Sequence, residues 1–310
     1  MRVAFLGNDP WSVPSLESLA ASRHGVAAVL TRAPRPAGRG RKPRPTAVAE
    51  AARSLGLPLH EVETVKGGRG LAALEAARPD VMVVVAYGEI LPGEVLAIPS
   101  AAPVNVHFSL LPALRGANPV ARAILAGLDR TGVTTMRMDE GMDTGPVLLQ
   151  AEEPIHSRDD AGALGWRLAR VGGRLLVETL DRLEAGDAEE RPQDHASATV
   201  AKRFSPEEEW IDWAEPGEAV DRRVRALAPE PGARARAAGR VVKVLKASPV
   251  EGRGTPGTVL EAGKERLVVA AGDRAVALEE VIPEGRRRMT GAEFARGQRL
   301  RPGEPLEGAR

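Results

Sequence analysis

The chain of 310 residues contains no cysteine. That absence excludes disulfides, thiolate metal sites and a cysteine nucleophile, and it fits a reducing compartment. A dominant charge is also lacking: 43 Lys and Arg face 42 Asp and Glu, a formal net charge of +1. Nothing global therefore demands nucleic acid, and any such contact must come from local patches. No window approaches the ~18–20 apolar residues of a membrane span. The opening MRVAFLGNDP meets Gly, Asn, Asp and Pro too early for a secretory core, so a soluble, cytoplasmic protein is the expectation. Two phosphate-binding signatures are missing as well. The basic segment after residue 31 lacks the GxxxxGK[ST] order, and Gly7-Asn8-Asp9-Pro10 does not supply a GxGxxG turn, which disfavours an NAD-dependent enzyme. His24, His60, His156 and His195 have no ligand spacing, so no metal is expected.

What is present suits a globular protein: 43% apolar and 27% charged residues, and enough length for two domains. Short runs rich in Val, Ile or Leu at 2–6, 25–31, 81–86 and 103–107 read as strands covered on both faces. They alternate with helical spacing at 14–21, 46–55, 70–77 and 119–126. This order predicts an α/β fold with a doubly wound, mostly parallel, Rossmann-like sheet. Further strands are expected at 131–138 and 146–151, and a long helix at 160–185. The polar stretch 186–205 suits an exposed linker. The expected division is 1–187 for the first domain, 188–206 for the linker and 207–310 for a smaller second domain. There, after a helix at 216–227, short runs at 240–247, 257–261, 266–270 and 275–281 suggest a small β-barrel.

Residues 103–145 concentrate the chemistry. Asn105 and His107 alternate on one strand, so the pleat puts both side chains on the same face. Asp143 follows 36 residues after His107 in a GMDTG turn, where Gly141 and Gly145 free the backbone to aim a carboxylate into a cleft at the strand ends. An amide donor, an imidazole and an orienting carboxylate suit attack of an amine on an activated carbonyl, which needs oxyanion donors and proton transfer together. Charge is concentrated in two other places. Residues 32–44 hold six positive charges and no acid, interrupted by Pro and Gly, which reads as a mobile basic loop suited to phosphate. From 219 onward 19 Lys and Arg face 12 Asp and Glu, an excess of 7.

Asn-x-His followed by Ser109-Leu110-Leu111-Pro112, then Arg115-Gly116-Ala117-Asn118-Pro119 and Gly-x-Asp-Thr-Gly, resembles the folate-dependent formyltransferase superfamily, and most closely its members that formylate methionyl-tRNA. RPAGRGRKPRP, VVVAYGEILP, GTPGTVLEAG and RRRMTGAEFARGQRL extend the resemblance along nearly the whole chain. It implies Asn105, His107 and Asp143 as the catalytic residues, and 10-formyltetrahydrofolate as formyl donor. That co-substrate would be held by Ser109, Leu110, Leu111 and Pro112 and by backbone around Ala86, Tyr87, Gly88, Ile90 and Leu91. It further implies that Arg39, Arg41 and Lys42 engage the acceptor end of initiator methionyl-tRNA and that the second domain is a barrel of the oligonucleotide-binding type; a monomer is expected. The alternatives within the superfamily are transfer to a small amine, such as a nucleotide sugar or glycinamide ribonucleotide, and hydrolysis of formyl-folate. Departures from the family pattern are Gly7-Asn8-Asp9-Pro10, Phe108, Ala113-Leu114 and the APEPG run at 228–232. If the pleat persists, Phe108 points away from the face of Asn105 and His107.

Overall fold

The computed structural model describes residues 1–37 and 42–309. They form two compact units: Met1–Pro119, Arg130–Pro154 and Gly165–Ala201 in the first, and Val120–Asp129, Ile155–Leu164 and Lys202–Arg310 in the second.

In the first unit the strands follow the apolar runs: β1 (Arg2–Gly7), then helix α1 (Val13–Ala20), and β2 (Gly25–Arg32). A short hairpin of β3 (Arg35–Ala37) and β4 (Lys42–Arg44) follows, then α2 (Ala47–Ser54), β5 (Leu59–Val62), α3 (Gly68–Ala77), β6 (Val81–Val85), α4 (Gly93–Leu96) and β7 (Ala102–His107). Helix α5 (Pro119–Leu125), which belongs to the second unit from Val120 on, comes before the antiparallel strands β8 (Arg130–Arg137) and β9 (Val147–Pro154), and α6 spans Ala161–Ala185, its part from Gly165 on lying in the first unit. The sheet order is β5-β2-β1-β6-β7-β8-β9, with the first five strands parallel. From central β1 the chain winds first towards β5 and then towards β7, so the order reverses between β1 and β6, where folds of this kind open a ligand crevice. Val3, Ala4, Phe5 and Leu6 are all fully buried, the physical reason that β1 reads as a continuous apolar run.

Glycines let α6 lie close on the sheet. A Cβ on Gly165 would stand 2.1 Å from the Trp11 ring, and one on Gly172 would stand 3.0 Å from Val106. Trp11 in turn meets Phe108 edge-on, with ring centroids 6.1 Å apart. Phe108 therefore packs with Trp11 beneath the helix, on the side of β7 opposite Asn105 and His107. The basic segment differs from the loop expected of it: Arg35 pairs with Arg44 and Ala37 with Lys42 across an antiparallel ladder. Arg39 and Arg41 lie outside the described residues.

The second unit contains α7 (Gly217–Leu227), β10 (Ala233–Ala237), β11 (Arg240–Val250), β12 (Val259–Ala262), β13 (Leu267–Ala270), β14 (Ala275–Pro283), β15 (Met289–Thr290), α8 (Gly291–Gln298) and β16 (Leu306–Glu307). Its antiparallel sheet runs β12-β13-β14-β11-β10-β16, with β15 on β14, and curls as an OB-like half-barrel. Val220, Val224 and Leu227 of α7 share its core with Val242, Val244, Val276, Leu278 and Phe294. Helix α8 starts on a capping box: Thr290 Oγ1 accepts from Glu293 N at 3.1 Å and Glu293 Oε2 accepts from Thr290 N at 2.8 Å. Among the described residues no helix is long and apolar enough to cross a membrane.

Within this unit Arg122 grips Glu208 through two nitrogens, at 2.7 and 3.0 Å, and stacks on Phe204 at 4.1 Å. The Arg122 hydrogen bond, aided by the Ser205 N–H, pulls the Glu208 carboxyl down to about 2, against its desolvation. A carboxyl depressed in the folded state contributes stability that is complete above its unfolded value near 4.5 and is lost as pH falls towards 2. The pair is partly solvated, so the expected size is ~0.2–1 kcal/mol. Glu208→Gln is expected to lower stability by about that amount at pH 7 and to match the parent near pH 2, as checked by urea unfolding at both pH values.

Candidate active site

The site is built on the pleat of β7. Asn105 and His107 share a face, opposite Met136 and Thr134 of β8 in the antiparallel register. Asp143 reaches both. Its Oδ1 accepts from Asn105 Nδ2 at 3.3 Å, and its Oδ2 lies 3.6 Å from His107 Nδ1 and accepts from Gly116 N at 2.7 Å. The sequence places Asp143 in a turn at the strand ends. The chain instead leaves β8 opposite Val104 and lays the loop back along the face of β7 as far as His107, because β8 runs antiparallel to β7.

The other ring nitrogen of His107, Nε2, lies 2.9 Å from the carbonyl of Leu114. A carbonyl only accepts, so Nε2 carries the proton in that contact and leaves Nδ1 facing the carboxylate. His107 is 6% exposed, which restricts solvent competition for both contacts. Asp143 sits at φ +56° and Leu114 at φ +60°, both in the left-handed region. The loop around Asp143 is tied internally: Asp139 Oδ1 accepts from Gly141 N at 3.1 Å and from Thr144 Oγ1 at 2.6 Å.

Beside the carboxylate lies a small cavity of about 130 Å³, walled by Ile90 and Leu91 on one side and by Met136, Met138, Met142 and Asp143 on the other. Typical whole-ligand sites measure ~300–1,000 Å³, so this volume suits one ring of a larger molecule. Ile90 is 73% exposed and Met142 55% exposed, an apolar pair at its rim. Glu89, Asp139 and Glu140 add polar groups.

The remaining expected residues fall as follows. Ala86 and Gly88 are exposed in left-handed conformations at φ +43° and +81°, just past β6, whereas Tyr87 is buried, and burial raises its phenol far above the usual tyrosine range. Ser109 is wholly buried and donates to Ala113 O at 2.6 Å. Leu111 is buried too; its N–H donates to Thr134 Oγ1 at 3.1 Å and its carbonyl accepts from Gln150 Nε2 at 2.8 Å. Ser109 and Leu111 thus shape the loop from within, leaving Leu110 and Pro112 as its partly exposed members. Lys42 starts β4.

Several residues that sequence reasoning passes over also belong to the site. Met138, Met142 and Asp139 line the cavity. Asn8, within the departure from the family pattern, ties three strand ends: its Oδ1 accepts from Arg32 N at 2.7 Å and Thr31 Oγ1 at 3.1 Å, and its Nδ2 donates to the Tyr87 carbonyl. Buried Gln193 donates to the carbonyls of Asp143 and Gly145 at 2.9 and 2.7 Å. Elsewhere His24, which carries no spacing signal, gathers with Asp181 and Glu184, but Arg23 already contacts both carboxylates at 2.7 and 2.8 Å.

This geometry defines a class. Residues 1–180 match the formyl transferase family and residues 203–299 the formyl transferase C-terminal domain. The methionyl-tRNA formyltransferases of Halorhodospira halophila and Thermus thermophilus are 44% and 45% identical to this chain, each over 99% of both proteins. In fold the chain is similar to HypX from Aquifex aeolicus, solved in complex with tetrahydrofolic acid: TM-score 0.70 and 20% identity, over 98% of this chain and 48% of that one. The chain belongs to the formyl transferase family, and its full-length relatives place it among the methionyl-tRNA formyltransferases.

A Cβ on Gly145 would stand 2.0 Å from the Arg137 carbonyl, a backbone atom that cannot yield cheaply. Gly145→Ala is expected to destabilise the first unit by about 1–3 kcal/mol and to displace Asp143. Thermal unfolding and the chemical shift of the Asp143 amide check both effects.

Proposed function

We propose that this protein transfers the formyl group of 10-formyltetrahydrofolate to the α-amino group of methionyl-initiator tRNA. The observation that carries the reading is the convergence of Asn105, His107 and Asp143 beside a cavity rimmed by apolar Ile90 and Met142. A flat heteroaromatic ring fits there: Leu91 and the methionines offer apolar faces, while Asp139 and Glu140 can accept from ring N–H groups. Ala86, Tyr87, Gly88, Ile90 and Leu91 would hold that ring, with Ser109, Leu110, Leu111 and Pro112 closing the site.

The folate co-substrate supplies the formyl carbon that the amine attacks and the nitrogen that leaves, which takes up the proton the amine gives away. No enzyme nucleophile is needed, since the amine itself forms the new bond. Asn105 spends one amide hydrogen on Asp143 and has a second to donate to the oxyanion. His107 has its Nε2 hydrogen committed to Leu114, so Nδ1 is the nitrogen that takes and returns a proton. Asp143, whose Oδ2 lies 3.6 Å from that nitrogen, stabilises it once it is protonated and shares the proton. Arg39, Arg41 and Lys42 would meet tRNA phosphates.

The first test mixes the purified protein with 10-formyltetrahydrofolate and initiator methionyl-tRNA and measures formyl-methionyl-tRNA and free formate. Rapid formylation is expected; formate alone would make this a hydrolase, and silence from both would point to a small amine. Asn105→Ala is expected to lower kcat ~10²- to 10³-fold, and a kcat near the parent's would sink its assignment. Replacing Arg39, Arg41 and Lys42 by Ala is expected to raise the KM for tRNA ~10-fold or more with little change for the folate donor. An equal loss for both substrates would mean that the segment is structural.

A further inference from the structure

Residues 193–201, read from composition as part of a linker, touch the site at both ends. Gln193 is buried, and its amide is saturated. Oε1 accepts from Arg115 Nε at 3.1 Å and Nη2 at 2.7 Å, while Nε2 donates to the carbonyls of Asp143 and Gly145. The chemistry leaves one orientation: a guanidinium only donates and a carbonyl only accepts, so the amide cannot be turned over without breaking all four bonds. At the other end Thr199 Oγ1 accepts from Leu114 N at 2.8 Å, and Arg115 pairs with Val200 through Arg115 N to Thr199 O at 2.9 Å and Ala201 N to Arg115 O at 2.6 Å.

The two contacts have one target. Thr199 fixes Leu114, whose carbonyl takes the Nε2 hydrogen of His107; Gln193 fixes Asp143, whose carboxylate faces Nδ1. Both intermediates, Leu114 and Asp143, are non-glycine residues in left-handed conformations that need outside support. We infer that the 193–201 segment is a strap that positions His107 from both sides, with Gln193 and Thr199 as its two positioning residues and Arg115 as the lock on the Gln193 amide. Neither residue touches a substrate in this assignment; each acts through the segment it holds. Arg115 is 7% exposed, and its guanidinium donates to Gln193 Oε1 and, at 3.1 Å, to His195 Nδ1, with no carboxylate within ion-pair distance among the described residues, so the lock accounts for its burial.

The inference rests on the proposed transfer for its kinetic readout but not for its structural one. Gln193→Glu keeps an acceptor for Arg115 and removes both donors to the loop. Thr199→Val removes the acceptor for Leu114 N at nearly constant shape, and Thr199→Ser restores it. Expected for Gln193→Glu and Thr199→Val is a ~10- to 100-fold loss of kcat with KM for both substrates within about twofold. Thr199→Ser should recover most of it. In the same folded proteins the ¹⁵N signals of the His107 ring should leave their parental positions in Q193E and T199V, and return in T199S. A parental kcat together with parental ring signals in Q193E and T199V would overturn the strap. A parent that fails to formylate methionyl-tRNA while these ring signals still shift would overturn the function and leave the strap standing. Ring signals that stay parental in that inactive case would remove both.

Discussion

Asp143 occupies a backbone conformation that L-residues avoid, and the geometry of the site depends on its staying there. The left-handed region costs a non-glycine residue about 1–2 kcal/mol. Three hydrogen bonds converge on the residue, from Gly116 N, Asn105 Nδ2 and Gln193 Nε2, each worth ~0.5–1.5 kcal/mol net, which is enough to offset that cost. Glycine would remove the strain and the carboxylate with it. The loop uses glycine where the chain approaches itself, with Gly141 against Thr144 and Gly145 against Arg137, and keeps a side chain at the strained position whose carboxylate meets Asn105 and His107. The strain is thus confined to a residue whose carboxylate and carbonyl have fixed partners.

Topology makes those partners available. Five parallel strands bring Gly7, Arg32, Val62, Val85 and His107 to one edge of the sheet, the ordinary place for a ligand in a doubly wound fold. Strand β8 runs the other way, with β9 antiparallel to it in turn, and the reversal at β8 turns the loop after β8 back over β7. The antiparallel run of β8 against β7 is therefore what brings Asp143 to an Asn and a His on one pleat.

Much of this is legible in the sequence, for definite reasons. Strands buried on both faces are continuous apolar runs, so β1, β2, β6 and β7 stand out, and the period of two identifies Asn105 and His107 as neighbours. Strand β10 escapes such a reading because it alternates Ala with Arg, and Ala is a weak strand former whose burial here comes from packing on the barrel core. Strand β5, LHEV, is too short and too mixed to signal itself, and α8 begins on a Thr-Gly pair that reads as a turn until the Thr290 and Glu293 box is seen. In the site, Gln193 leaves no trace: a lone Gln in a polar stretch looks like surface, and its importance lies in four bonds to residues ~50 and ~80 positions away, a tertiary fact without periodicity. Met138 reads as the last residue of the expected 131–138 strand and Met142 as a turn residue, because nothing local reveals that Ile90 faces them.

The basic bias of the second unit also reads differently once side chains have places. Arg223, Arg225, Arg234, Arg266 and Arg288 each hold a carboxylate of the same unit at 2.7–2.9 Å. Arg225 and Asp221 are largely buried, whereas the exposed pairs, such as Arg266 with Glu261, add little stability; each pair nonetheless occupies a guanidinium locally. Arg286 and Arg287 stand exposed outside these pairs, along a groove with Met289, Phe294 and Gln298. Counterion release scales with the charges that actually meet phosphate, not with the formal excess of the segment. Pairing within the unit leaves the excess of 7 read from the sequence unchanged, but it decides which cations a polyanion could meet: those outside such pairs, Arg286 and Arg287 on the groove among them.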